Sequence, residues 1–109
     1  MKILFPLFCC LPLLLSAQDE APSSKELLRT GLFEEEVNQD HKKAEAAYQK
    51  VTERYDQERY FVGLAFFRLA EIARKSGDQK KAAELYQRVA REFSDQKEIA
   101  KRALVHLGD

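Results

Sequence analysis

Laid over itself with a shift of 38 residues, the 109-residue chain repeats its pattern of small and apolar side chains. Ala44 falls on Ala82, Tyr48 on Tyr86, Val51 on Val89 and Tyr55 on Phe93. Further on, Phe61 meets Ile99, Ala65 meets Ala103, Phe66 meets Leu104, Leu69 meets Leu107 and Ala70 meets Gly108. Surface positions drift instead: Glu45 falls on Ala83 and Glu53 on Arg91. A repeat of roughly 20–50 residues marks stacked supersecondary units, none of which buries its apolar face without a neighbour.

Within each unit the apolar period is helical. Ala82, Leu85, Tyr86, Val89, Ala90 and Phe93 step by three and four, as do Ala44, Ala47, Tyr48, Val51 and Tyr55. Ser23 followed by Glu26 has the layout of a capping box, and Gly77-Asp78 ends one helix and caps the next. The spacing predicts helices over 25–37, 40–54, 58–76, 79–93 and 96–107. Only 4 Gly and 3 Pro are present, too few for the regular turns of an all-β sandwich. The expected architecture is all-α: a helix–turn–helix repeat solenoid of about two and a half units, stacked right-handed. Its fifth helix would close the second unit, with Lys97, Lys101 and Arg102 on its outer side. Tyr48 and Tyr86 are expected to supply large area between neighbouring units, and Ala44 and Ala82 to mark the close crossings within a unit.

Phe66-x-x-Leu69-Ala70-x-x-Ala73, then Gly77-Asp78, then Ala82-x-x-x-Tyr86-x-x-Val89 resembles the tetratricopeptide repeat family. The first copy, with Leu28, Gly31 and Leu32 before Ala44, Tyr48 and Val51, departs from that pattern. Gln39-Asp40 replaces the Gly-Asp turn, and Gly31 and Leu32 are out of order. The resemblance covers residues 25–109, and the period of 38 exceeds the family's usual length of about 34. Ala103-Leu104-x-x-Leu107-Gly108-Asp109 is also similar to stretches in exported bacterial repeat proteins, those of the Tol–Pal system and of the barrel-assembly machinery.

Residues 1–17, MKILFPLFCCLPLLLSA, have the layout of a secretory signal peptide: Lys2, an apolar run from Ile3 to Leu15, then Ser16-Ala17. The run is shorter than the about 20 apolar residues that cross a bilayer, and Pro6 and Pro12 interrupt it. Cleavage after Ala17 would leave a polar, flexible lead over 18–24 and a repeat domain over 25–109. It would also remove Cys9 and Cys10, and with them disulfide and thiolate chemistry. Phe8 stands where a lipoprotein signal takes a small residue, so lipidation of Cys10 is disfavoured and membrane attachment would need a retained leader. The expected location is outside the cytoplasm, in the periplasm or cell envelope, or secreted.

Balanced charge, 18 basic against 18 acidic side chains, gives no excess of cations for a nucleic-acid backbone. His41 and His106 sit in no metal-ligand spacing, and no nucleophile–base set or phosphate loop is visible. His41 and His106 read as surface residues, and Glu34-Glu35-Glu36 as a solvated face. A non-enzymatic module is expected, with no cofactor, metal or small-molecule substrate. The third helix is the anomaly, with Phe61, Val62, Leu64, Phe66, Phe67, Leu69 and Ile72 giving it more than one apolar face. A middle helix buried on several sides explains this. The resemblance implies in addition a concave groove lined by first helices, where Phe33, Leu64, Phe67, Arg68, Glu71 and Arg74 would meet a peptide or partner protein. Phe33 replaces the Asn of the family's carboxylate clamp, so chaperone C-terminal tails are not implied. The competing role is a scaffold that self-associates, as a homodimer, through its open ends.

Overall fold

Side-chain caps and turn chemistry set the helix boundaries. The computed structural model describes residues 21–55 and 57–108, so the expected signal peptide lies outside the described residues. Five α-helices follow one another: α1 (Ser24–Glu36), α2 (His41–Thr52), α3 (Arg59–Lys75), α4 (Gln79–Glu92) and α5 (Lys97–Gly108). At the head of α1 the capping box forms as expected. The Ser23 hydroxyl accepts from the Glu26 N–H at 3.1 Å, and the Glu26 carboxylate accepts from the Ser23 N–H at 3.0 Å. Ser24 belongs to this helix rather than to a lead, and it is buried. Its hydroxyl donates to Glu58 at 2.6 Å and accepts from Arg54 at 3.1 Å, tying the start of α1 to the α2–α3 connection.

The two helix turns are built alike. Gly77 adopts φ +88°, and the Asp78 N–H donates back to the Ala73 carbonyl at 2.9 Å. The Asp78 carboxylate then accepts from the Lys81 N–H at 3.1 Å to start α4. In the first unit Gln39 takes the left-handed conformation, φ 55°, and Asp40 caps α2 by accepting from the Lys43 N–H at 3.1 Å. The first turn spans residues 37–40 and the second 76–78. That extra residue moves the register of α1 by one. Gly31, not Leu32, is therefore the counterpart of Ala70: a methyl group at Gly31 would collide with the Tyr48 ring.

Each helix packs on the next, and α3 also touches α1 and α5. That explains the several apolar faces of α3: Val62, Ala65, Phe66, Phe67, Leu69, Ala70, Ile72 and Ala73 are all buried. Tyr48, Val51, Tyr86, Val89 and Phe93 are buried from the second helices. Tyr55 and Phe93, paired by the 38-residue shift, meet edge to face at 5.9 Å. The backbones of first helices come close (α1 with α3, α3 with α5), whereas α2 and α4 meet through longer side chains, Lys81 pairing with Glu45 at 3.6 Å. The stack is thus tighter on the first-helix side. No helix among the described residues is long and apolar enough to cross a membrane.

Candidate protein-binding face

Two buried carboxylates organise the first-helix side. Glu35, in the middle of an acidic run that read as solvated, is buried in α1. It accepts from the Tyr48 hydroxyl at 2.9 Å, pairs with Arg68 at 2.9 Å and with Lys75 at 3.2 Å. The helical spacing accounts for the correction: Glu35 lies on the face of Leu28 and Gly31, while Glu36 lies off it. Burial pushes the Glu35 carboxyl up, but the hydrogen bonds from Arg68 and Tyr48 and the Arg68 charge outweigh it, holding it below its ordinary value. The same contacts raise Tyr48, through burial first and then its bond to Glu35.

The second unit repeats the arrangement with different donors. Glu71 of α3 is buried and accepts from the Tyr86 hydroxyl and from Arg74 at 3.1 Å. His106, which read as an exposed surface residue, closes the set. Its Nε2 lies 3.2 Å from the Glu71 carboxylate, and its ring stacks on Tyr86 at 4.7 Å. Burial raises the Glu71 carboxyl, while the bonds from Tyr86 and Arg74 and the neighbouring charges pull it below its ordinary value. Tyr86 is pushed up to about 12 by burial and by its bond to Glu71. His106 stands 38 residues after Arg68, so successive first helices place a nitrogen-bearing side chain against the carboxylate at the same register.

These networks redistribute the expected groove residues. Phe67 is not a groove residue: it is 2% exposed, 6.0 Å from the Tyr86 ring, and covered by the Arg102 guanidinium at 5.1 Å. Glu71 is likewise buried rather than presented to a partner. Arg68 and Arg74 are committed to Glu35 and Glu71, so their first task is to neutralise carboxylates of the chain itself. Phe33 is exposed, at 52%, on the outer side of α1. Leu64 is half-buried and lines a cleft of about 550 Å³ between α3 and α5.

That cleft is a concave feature of this side. Tyr60, 61% exposed, and Leu64 supply its apolar wall, Ile99 its floor, and Lys97, Glu98 and Arg102 its rim. The Gln96 amide closes one end, donating to the Arg59 carbonyl at 3.0 Å and lying against Gly63, where a methyl group would displace it. Tyr60 lies in the first turn of α3, ahead of the repeat motif, so the repeat does not mark it. Its spacing of four from Leu64 was the available signal. An exposed aromatic and an aliphatic wall suit an apolar side chain, and Lys97 and Arg102, set beside Glu98 and the Arg59-paired Asp95, offer cations to a carboxylate flanking it.

A family model described as a tetratricopeptide repeat matches residues 27–57 and 64–95. No curated protein and no solved structure matches the chain.

Proposed function

The chain belongs to the tetratricopeptide repeat family, and from that membership we propose an interaction module that holds a peptide segment in the α3–α5 cleft. Repeats of this family generally mediate protein–protein interaction and are typically non-enzymatic. The observation that carries the finer reading is the cleft itself: Tyr60, Leu64 and Arg102 converge on the side where first helices draw together. The segment it suits carries an apolar side chain next to Asp or Glu, for Lys97 and Arg102 to meet. Work outside the cytoplasm, in the cell envelope, is part of the proposal, supported by the leader pattern of Met1–Ala17.

Selection of short random peptides against the chain tests the cleft. Enriched peptides are expected to share an apolar–acidic pair. They should bind the Leu64→Glu/Arg102→Glu variant at least about tenfold more weakly, a difference of about 1.4 kcal/mol. Equal binding to both proteins rejects the site. N-terminal sequencing of the chain recovered from the envelope fraction tests the location, with Gln18 the expected first residue.

A further inference from the structure

The outward face of α1 carries exposed apolar side chains between charges of opposite sign. Side chains 100° apart along a helix place Lys25, Arg29, Leu32, Phe33 and Glu36 within an arc of about 100°. The opposite face carries the buried Leu27, Leu28, Gly31 and Glu35. All five outward residues are exposed, Leu32 at 37% and Phe33 at 52%. Val37, 65% exposed, extends the apolar patch past the end of the helix.

Charge along this stripe is polarised. Lys25 and Arg29 lie toward its start and Glu36 toward its end. The last turn of α1 holds no basic side chain to offset its carbonyl ends, and Glu34 and Glu36 add to the negative pole, while Glu35 is neutralised inside by Arg68 and Lys75. Arg29 forms no ion pair among the described residues, and Glu36 remains 63% exposed with Arg68 3.8 Å away. A helix with this distribution is its own complement when turned end for end.

We propose that two copies of the chain pair through antiparallel α1 helices about a two-fold axis between Leu32 and Phe33. Leu32 of one copy then faces Phe33 of the other. Arg29, as far before the axis as Glu36 is after it, meets the partner's Glu36 twice over. Lys25 comes near the negative end of the partner's α1. Other coverings fit less well. An uncharged apolar segment would leave Arg29 without a partner, and an anionic lipid surface would be repelled by Glu34 and Glu36. A single helix pair buries less than the about 1,200 Å² of a stable specific interface, so the dimer is weak and reversible.

Sedimentation equilibrium of the full chain over a dilution series tests this, with circular dichroism confirming equal helicity in every variant. The unaltered chain should pass reversibly from monomer to dimer as concentration rises. Arg29→Glu should move the midpoint to at least about tenfold higher concentration, because a carboxylate then faces the carboxylate of Glu36 at both ends of the pair. Arg29→Glu/Glu36→Arg should restore it, and Phe33→Glu should stay monomeric. A monomer at every concentration would overturn the proposal and leave the stripe to another protein. So would association that survives Phe33→Glu, which would place the contact elsewhere, or a double variant as weak as the single one. None of these three positions lines the α3–α5 cleft, so peptide binding there is scored separately.

Discussion

At Glu35 a charge is held away from water by three donors, and this costs free energy unless each is in place. Arg68 is the strongest of them, since its guanidinium lies 2.9 Å away with 20% of the side chain exposed. Tyr48 and Lys75 hold the carboxylate from its other sides. Arg68→Met keeps most of the packing and removes the charge, so Glu35 loses its best partner while remaining buried. A loss of about 1.5–3 kcal/mol is expected, the range for a hydrogen bond to a charged group. Urea unfolding should show it as a lower midpoint at unchanged slope. Adding Glu35→Gln should recover part of the loss, because the buried charge is gone while the amide oxygen still accepts from the Tyr48 hydroxyl. A double variant no more stable than Arg68→Met would mean that the pair is not the reason for the cost.

The helix turns show which parts of the fold were legible in the sequence. Gly77-Asp78 was readable because each residue type has one dominant reason to be there: a positive φ and an N-cap. Gln39 performs the same task at φ 55°, yet nothing in its residue type announces it. The extra residue in that turn also hid the equivalence of Gly31 and Ala70. Helix number, the buried tyrosines and the Ala crossings followed from periodicity, which depends only on which face is apolar. The site was less legible, because burial of a charged residue depends on what its neighbours donate. Phe67 and Glu71 are taken inward by Tyr86, and Glu35 by Tyr48. A left-handed residue with a side chain costs roughly 1–2 kcal/mol relative to the right-handed region. Glycine removes that cost but adds flexibility to the unfolded chain, about 0.5–1 kcal/mol. Gln39→Gly should therefore raise stability by up to about 1 kcal/mol, read as a higher thermal midpoint by roughly 4–8 °C per kcal/mol. Gly77→Gln should do the reverse, since it sets a side chain at φ +88°.

Taken over the whole molecule, the two carboxylate–tyrosine pairs define a window of pH in which the stack is stable. Glu35 and Glu71 have folded values below the ordinary 4.5. As pH falls below about 5, the unfolded chain takes up protons first, so the stability these groups supply is present above that point. It is lost as pH drops through their folded values. Tyr48 and Tyr86 have folded values above the ordinary 10.0. Here the unfolded chain releases protons first. The stability is complete below about pH 10 and drains away as pH rises toward about 12, where folded Tyr86 ionises. The thermal midpoint should thus form a plateau between acid and alkaline limbs, measured by far-ultraviolet circular dichroism across the range. Tyr48→Phe/Tyr86→Phe should lower the plateau, because both carboxylates lose a donor, and should make the alkaline limb shallower. Tyr55, raised by its hydrogen bond to Glu92, would supply part of the slope that remains. An alkaline limb equally steep in the double variant would show that neither phenol is linked to folding, and that the Tyr48–Glu35 and Tyr86–Glu71 bonds do not set the packing of the two helices in each unit.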